Sequence, residues 1–335
     1  MIYRESESKS KEHKINYLHA VQKVILKRQA KHALLRKNFC QDIFTNQEKY
    51  RNELKNMLGW PLNDCALRDV PHAKLEKLSE EQGMDVFRVS IEVLEDLNIT
   101  GLFFKKHTKK CPLILAQHGK KGTPEHMSGL YGNTTNYNNL VPSLFEYDVN
   151  VFAPQLLLWD EKKYDLDYDR YNLDMQLKSV GSSIAALEIF AYIRIMDYFE
   201  KQDFVSTFGM IGLSYGGFYT MYTTAMDTRI QAAISCSFFN DRCKYAWNDL
   251  IWQNSVQKFT DSEIVSLIYP RNVWIKVGNQ DAAFDVNSAV AEEKRLREMC
   301  TTVGTDWYDF ELFAGRHEYY WNPDTLDRFI EILRQ

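Results

Sequence analysis

The chain has 335 residues, a net charge of −4 and a pI near 6.1, so its charge gives no reason to expect nucleic acid as a partner. With 45% hydrophobic and 26% charged residues, it has the composition of a globular protein with a substantial core. No run of about 18 apolar residues predicts a membrane-spanning helix, and no apolar segment near the start predicts a secretory signal.

Residues 1–80 are predicted as a helical extension that serves as a cap or a dimer element. The segment INYLHAVQKVILKRQAKHALLRKNF has apolar residues near one face and Lys and Arg on the other: Ile15, Leu18, Val21, Ile25 and Leu26. Its basic side could indicate a membrane-surface helix, but we favour a solvated face on a capping helix and expect no membrane partner. The extra apolar surface makes a homodimer a plain expectation.

Residues 81–335 are predicted as one α/β domain. Residues 85–106 alternate apolar and polar side chains twice around EDLN, which predicts a β-hairpin. Short apolar runs typical of buried strands then alternate with helical patterns at 182–200, 218–227, 288–302 and 324–333. The runs lie at 111–117, 149–154, 208–213, 230–235, 272–278 and 308–313. This alternation predicts a mostly parallel sheet with helices on both faces, and binding sites at the carboxyl ends of its strands.

The segment FGMIGLSYGGFYT places Ser214 between a strand pattern and a helical pattern. Gly-x-Ser-x-Gly in that context describes a nucleophile elbow, a tight turn that presents the serine above the sheet. Residues two before and two after the serine must be small because their Cβ atoms would collide, and Gly212 and Gly216 meet that requirement. Ser214 is therefore the predicted nucleophile.

A serine hydroxyl needs a base, and in this architecture an acid and then a histidine follow it in the chain. Of the eight histidines only His317 comes after Ser214, in LFAGRHEYYW. The acid should follow the strand at 272–278, where GNQDAAFD offers Asp281 and Asp285. We favour Asp281, which is nearer the strand end, since Asp285 can instead cap the next helix.

An oxyanion hole needs two backbone donors. One is predicted to be the N–H of Tyr215, the residue after the serine. The other should come from the loop in LILAQHGKKG, where Lys120 N–H is the first choice, with Gly119 or Lys121 as alternatives. Gly119 lets the backbone approach a substrate closely. His118 precedes the serine in the chain, which favours a structural role in this loop over that of a base.

Two further features of the sequence bear on metal binding and on the redox state of the cysteines. Asp165, Asp167 and Asp169 have the alternate spacing of a calcium loop, but the sixth position is Arg170 rather than Gly, which favours a solvated rim loop. Six cysteines lie along the chain without a CxxC pair: Cys40, Cys65, Cys111, Cys236, Cys243 and Cys300. That spread is typical of reduced thiols, so we expect a cytoplasmic protein.

The motifs QHGKKG, GLSYGGFYT, GNQDAAFD and GRHEYY make the chain resemble the α/β-hydrolase superfamily. Within it, the chain is similar to the dienelactone-hydrolase and acetyl-xylan-esterase-like branch and to the prolyl-oligopeptidase catalytic domain. The resemblance covers the chain from about Gly83 to its end and implies a triad of Ser214, Asp281 and His317 with no cofactor or metal. A dienelactone hydrolase proper has cysteine where Ser214 stands, and the lipase-like triple glycine is missing.

The resemblance implies a serine hydrolase that cleaves carboxylic esters of small molecules. A small acyl group, such as acetyl on a carbohydrate or a xenobiotic alcohol, is what this branch favours. One alternative is a peptidase or amidase of the prolyl-oligopeptidase type. Another is a catalytically idle α/β-hydrolase fold that serves as a binding module.

Overall fold

The computed structural model describes residues 4–67, 69–108 and 110–335, and within them the side chain of Cys65 is not described. Over these residues the strands are β1 (Ala73–Glu81), β2 (Met84–Leu94), β3 (Leu97–Lys106), β4 (Cys111–Gln117), β5 (Asn150–Pro154), β6 (Val205–Leu213), β7 (Ile230–Cys236), β8 (Asn272–Gly278) and β9 (Tyr308–Phe313). They form one sheet in the order β1-β2-β3-β5-β4-β6-β7-β8-β9. The pairs from β1 to β3, and β3 with β5, are antiparallel, whereas the strands from β5 to β9 run parallel.

The helices lie between these strands and at the N-terminal end. They are α1 (Glu7–Phe39), α2 (Gln47–Leu58), α3 (Pro124–Met127), α4 (Glu161–Tyr164), α5 (Arg170–Ser179), α6 (Ile184–Phe199), α7 (Tyr215–Met226), α8 (Ser255–Lys258), α9 (Asp261–Ser266), α10 (Val286–Met299) and α11 (Pro323–Arg334). No described helix is both long enough and apolar enough to cross a membrane.

Both faces of the sheet are covered. The central strand β4 is buried along its whole length, as a strand between two helical layers must be. One apolar cluster joins the sheet to α2, α6 and α7, and a second joins the opposite face to α11 and residues 127–145. The predicted α/β architecture, with a mostly parallel sheet and helices on both faces, is confirmed.

The sheet begins earlier in the chain than the sequence predicts. The predicted boundary at residue 80 lies inside β1, which pairs along β2 from Ala73 to Glu81. β1 is an edge strand, largely exposed and rich in Lys and Glu, so it has no clear apolar alternation for a sequence pattern to detect.

Helix α1 contacts the body of the protein over only part of its length. Its C-terminal part is anchored: His32 and Arg36 are buried, and Gln29 donates a hydrogen bond to the Cys243 carbonyl oxygen at 3.4 Å. All residues from 11 to 28 are exposed. The expected capping role therefore belongs to the C-terminal part alone, and the apolar face of the N-terminal part is uncovered.

Candidate active site

Ser214 occupies the turn between β6 and α7 in a strained conformation. Its φ of 61° and ψ of −119° lie outside the regions that a serine normally adopts, and its N–H donates to the Cys236 carbonyl oxygen at 2.9 Å. Such strain persists only where the surroundings hold it, which is typical of a functional turn. The backbone thus has the geometry predicted for a nucleophile elbow.

The glycines around Ser214 are required by close backbone contacts. A Cβ on Gly212 would lie 2.9 Å from the Gly216 Cα, and a Cβ on Gly216 would collide with the Gln117 carbonyl group. A Cβ on Gly119 would lie 3.1 Å from the Ser214 Cβ and 3.7 Å from its Oγ. These contacts bring the β4 loop directly against the serine.

His317 and Asp281 meet at the adjacent ends of β8 and β9. The His317 Nδ1 lies 2.8 Å from the Asp281 Oδ2, and the Asp281 side chain is fully buried. The other carboxylate oxygen of Asp281 accepts hydrogen bonds from the N–H groups of Ala283 at 2.7 Å and Phe284 at 3.1 Å. An ionised carboxylate held in this way places the imidazole hydrogen on Nδ1, which leaves Nε2 as an acceptor. Among the described residues, no group hydrogen-bonds with Nε2.

Asp285 takes the alternative role that the sequence left open. Its carboxylate accepts the N–H of Asn287 at 3.0 Å at the start of α10, and Lys244 lies 3.5 Å away. It is therefore a helix N-cap, and among the described residues it forms neither a hydrogen bond nor an ion pair with His317.

Ser214 and the loop after β9 that carries His317, which we call the histidine loop, both contact residues at the end of β7. Cys236 accepts the Ser214 N–H, and the neighbouring Ser237 Oγ donates to the Glu318 carbonyl oxygen at 3.3 Å. Within the described part of the chain, however, the Ser214 Oγ makes no hydrogen bond, with His317 or with any other group. A long nucleophile–base distance is common in a site without substrate. The three residues are brought to one edge of the sheet, and their action as a triad stays a prediction.

The loop after β4 leaves one N–H group available near the serine. Gly119 N–H donates to the Tyr137 hydroxyl at 3.0 Å, and Lys121 N–H donates to the Leu158 carbonyl oxygen at 2.6 Å. The Lys120 N–H has no partner among the described residues. The Tyr215 N–H lies in the first turn of α7, where it also lacks an intrahelical acceptor. Lys120 and Tyr215 are thus the free donors of the predicted set.

His118 has a structural environment, as its position in the chain suggested. It is fully buried, and burial lowers its pKa to about 4, so the ring is neutral. Leu156 N–H points at Nε2 at 3.3 Å, and Nδ1 lies 2.9 Å from the Gly119 carbonyl oxygen. His118 therefore carries its hydrogen on Nδ1 and ties the β4 loop to the β5 loop.

Residues 136–138 connect the β4 loop to the histidine loop; we call them the strap. The Tyr137 hydroxyl holds the Gly119 N–H, and the Asn136 side-chain amide donates to the His317 carbonyl oxygen at 3.2 Å. The Asn138 amide donates to the Tyr319 carbonyl oxygen at 2.8 Å. The strap could not be predicted from the sequence, because contacts between residues about 180 positions apart leave no periodic signal.

Arg170 anchors the rim loop through buried ion pairs. Its guanidinium contacts Glu188 at 2.9 Å and Asp249 at 2.7 Å, and it also reaches the Tyr219 hydroxyl on α7 at 2.8 Å. Burial alone would lower the pKa of Arg170, but the neighbouring carboxylates outweigh it and raise the pKa. Tyr215, on the same helix, donates to Asp249 at 3.1 Å. In the sequence, Arg170 is recognisable only as the residue that departs from a calcium-loop pattern, and its ion pairs with distant carboxylates could not be predicted.

The aromatic side of the site was also missed. The Phe284 ring lies 5.6 Å from the His317 imidazole, and Trp247 lies 5.3 Å from Phe284 and 5.7 Å from Tyr215. These rings form a wall between the histidine and α7. Trp247 lies outside every motif, and the motifs that contain Tyr215 and Phe284 do not indicate that these rings meet, so only the fold brings them together.

The candidate metal ligands lie away from this site. In the described chain, one group of acidic and histidine side chains has ligand atoms within 4.8 Å of one another, namely Glu80, Asp85 and His107. It is on the antiparallel edge of the sheet, and Asp85 already pairs with Lys77 at 2.5 Å. Of the aspartates considered for calcium, Asp169 caps α5 by accepting the Asn172 N–H at 3.0 Å.

The main cavities of the described residues do not include Ser214, Asp281 or His317. A cavity of about 490 Å³ and one of about 740 Å³ lie on either side of Gln155 and Trp159, beyond the β5 loop. Ser214 itself is partly exposed, and the His317 side chain is 24% exposed.

Solved structures share this architecture at low sequence identity. A protein proposed to be an acetyl xylan esterase, from Bacteroides fragilis, is 16% identical with a TM-score of 0.67, covering 85% of this chain and 81% of its own. A glucuronoyl esterase from Solibacter usitatus is 13% identical with a TM-score of 0.62, covering 87% and 92%. Acetyl xylan esterase 1 from Thermoanaerobacterium sp. is 13% identical with a TM-score of 0.54, covering 87% and 94%. No family model and no curated protein matches the chain.

These similarities and the strand order define the class of fold. The chain has the α/β-hydrolase fold, with Ser214 in the turn between β6 and α7. The predicted fold class and the resemblance at the level of fold are confirmed.

Proposed function

We propose that the chain is a serine hydrolase of carboxylic esters with a small acyl group. The observation that carries the proposal is the His317–Asp281 pair at 2.8 Å, with an unpaired Nε2, at the same edge of the sheet as the strained Ser214. The neighbours whose names describe acetyl xylan and glucuronoyl esterases support ester hydrolysis. The free, mostly buried cysteines among those described also support the expected reducing, cytoplasmic location.

In the proposed reaction, the Ser214 Oγ attacks the ester carbonyl carbon while its proton passes to the His317 Nε2. Asp281 holds the imidazole by Nδ1 and stabilises the imidazolium that forms. The N–H groups of Tyr215 and Lys120 donate to the oxyanion of the tetrahedral intermediate. His317 then protonates the leaving alcohol oxygen as the C–O bond breaks. Water, deprotonated by His317, attacks the acyl-enzyme, and the acid leaves as Ser214 regains its proton.

The shape of the site supports a small acyl group. A long acyl chain needs an enclosed apolar channel beside the nucleophile, whereas the cavities of about 490 and 740 Å³ lie beyond the β5 loop and are not lined by Ser214. An acetyl group needs only a shallow recess, and a bulky alcohol can extend outward past the partly exposed His317. We therefore propose acetyl esters of a carbohydrate or of a xenobiotic alcohol as the substrate class.

The test combines covalent labelling with substrate panels. A fluorophosphonate probe should label the peptide that contains Ser214, and label should be lost in Ser214→Ala and His317→Ala but kept in the matched control Ser79→Ala on β1. Hydrolysis of 4-nitrophenyl acetate should exceed that of the octanoate ester and of an acetyl 4-nitroanilide. Preference for the anilide would favour the amidase alternative. A folded wild type that takes no label and cleaves nothing would favour the idle binding module.

A further inference from the structure

The N-terminal part of α1 is exposed to solvent although it is rich in large apolar side chains, which normally pack against another surface. Every residue from 11 to 28 is exposed, and this stretch holds seven large apolar side chains that are 39–75% exposed: Ile15, Tyr17, Leu18, Val21, Val24, Ile25 and Leu26. An isolated helix of this length is marginal in water, because helices in proteins gain most of their stability by packing an apolar face. We call this stretch the arm.

Three of the apolar side chains of the arm form a stripe along the helix. At about 100° per residue, Leu18, Val21 and Ile25 project together, whereas Asn16, Ala20, Lys23 and Lys27 project from the opposite side. The arm is thus a basic helix with an apolar stripe, and its Lys and Arg lie both opposite the stripe and, at Lys11, Lys14 and Arg28, beside it. Lys and Arg outnumber Asp and Glu by nine to two in α1, while acidic residues outnumber basic ones by 43 to 32 in the rest of the chain.

A groove elsewhere on the protein complements the arm. It has a volume of about 740 Å³ and lies between the β2–β3 hairpin and helices α5 and α6. Its walls are mainly apolar, and they include Leu97, Ile99, Leu173, Leu177, Val180 and Ile184. Val180 is 75% exposed and Leu97 is 39% exposed, so apolar surface is open to solvent here as well.

The charge at the groove is opposite to that of the arm. Glu95 and Asp96 form the exposed turn of the β2–β3 hairpin, and the exposed Asp165, Asp167 and Asp169 precede α5 on the other side. The nearby Lys178 is neutralised, since its ammonium lies 2.6 Å from Asp174. A helix that lays an apolar stripe in a hydrophobic groove is a recurrent mode of recognition. Here the Lys and Arg beside the stripe would face the acidic side chains around the groove.

We propose that the arm of one copy of this chain docks in the groove of a second copy, and that two such contacts related by a two-fold axis form a homodimer. The arm cannot be its own chain's occupant without a break, because α1 is continuous from Glu7 to Phe39 and its C-terminal part is fixed to the body at His32 and Arg36. Direct pairing of two arms would bring together two helices with a large excess of positive charge. Docking in the groove would bury the apolar side chains of the arm and would also place its positive charge beside the acidic side chains around the groove.

The experiment measures the oligomeric state of the full chain by sedimentation velocity over a range of concentrations. Wild type should be a dimer. Leu18→Asp/Ile25→Asp in the arm should weaken the dimer by about 100-fold or more, because two carboxylates would be buried in an apolar groove. Asn16→Asp/Ala20→Asp adds the same two charges on the opposite side of the helix and should leave the dimer intact.

The groove is tested by a second pair of variants on α5. Leu173→Arg/Val180→Arg places cations where the basic arm docks and should weaken the dimer. The control Met175→Arg/Ser179→Arg adds two cations to exposed positions of the same helix that do not line the groove, and should not. All these positions are exposed, so each variant should fold, and its thermal unfolding should match wild type at concentrations low enough for the wild type to be monomeric.

A mixture of the arm variant and the groove variant decides how the copies are joined. Each mixed pair keeps one intact arm and one intact groove, so a labelled arm variant should form heterodimers with the groove variant although neither forms dimers alone. Arm-to-arm pairing would leave the groove variant dimeric and would overturn the proposal. A monomeric wild type would also overturn it, whether the arm is free, folded onto its own body, or bound to vesicles containing phosphatidylserine.

Discussion

Replacing Tyr137 with phenylalanine tests whether the strap (residues 136–138) positions the loop after β4, which holds the proposed oxyanion donor Lys120; we call this the oxyanion loop. Tyr137 is 3% exposed, and its hydroxyl is the acceptor for the Gly119 N–H at 3.0 Å. Burial raises its pKa, so the hydroxyl stays protonated and neutral. Tyr137→Phe keeps the ring but leaves a buried N–H without an acceptor, which costs about 1–3 kcal/mol.

Whether the substitution lowers kcat or only the free energy of unfolding distinguishes a positioning role of Tyr137 from a purely stabilising one. If the peptide between His118 and Gly119 turns so that the Gly119 N–H finds a new acceptor, the adjoining peptide between Gly119 and Lys120 shifts with it, and the Lys120 N–H leaves the proposed oxyanion position. The kcat for 4-nitrophenyl acetate should then fall by about 5- to 150-fold, with KM changed much less, because the lost donor acts in the transition state.

The matched control is Tyr147→Phe, whose hydroxyl donates to Asp327 at 2.6 Å and does not contact the strap. It should lower the free energy of unfolding without a change in kcat. Urea unfolding of both variants gives the stability readout. If Tyr137→Phe lowers stability while its kcat stays within about twofold of wild type, the proposed coupling between strap and oxyanion loop is refuted.

Three further predictions concern charged groups. Asp281→Asn should lower kcat by about 10⁴-fold through the wrong imidazole tautomer, whereas Asp285→Asn should change little because Asn is an equally good N-cap; steady-state kinetics on both variants would refute the assignment if the effects were reversed. Arg170→Met should lower the free energy of unfolding by about 3–5 kcal/mol, because Glu188 and Asp249 would remain buried without a counter-charge, and a loss under 1 kcal/mol in urea would contradict this. Because the pKa of His118 is lowered to about 4 in the folded state, the unfolded chain binds the extra proton between about pH 6.5 and 4, so stability should fall by about 3 kcal/mol as the pH drops through that window. His118→Gln should remove this part of the fall in urea unfolding at pH 7 and pH 4.

The strands and the serine turn could be predicted because their signals are local. The apolar runs at 111–117, 272–278 and 308–313 coincide with β4, β8 and β9. Gly212 and Gly216 predicted the close packing of the elbow, since only a residue without a Cβ fits there. The uniqueness of His317 after Ser214 likewise required no knowledge of distant contacts.

The rest depends on contacts that no local pattern records. Asp281 and Asp285 both follow β8, and only the loop geometry shows that one faces His317 while the other caps α10. The arm has the same apolar pattern as a packed helix, so the sequence could not reveal that nothing covers it. The edge strand β1 was missed because charged residues on both faces remove the alternation that marks a strand.

The fold explains why a site built from separate segments needs the strap. A parallel sheet brings the ends of β4, β6, β8 and β9 to one edge, but each loop then leaves the sheet on its own. The strap hydrogen-bonds both the loop that holds Gly119 and the loop that holds His317, so that these loops move together rather than independently. In the β4 loop, the N–H groups of Gly119 and Lys121 already donate hydrogen bonds to other groups. The Lys120 N–H between them has no acceptor among the described residues, so it is free to donate to a substrate. If the Lys120 N–H is an oxyanion donor, as we propose, a donor fixed in this way costs no reorganisation during the reaction, and that is the physical reason to expect the effect of Tyr137→Phe in kcat.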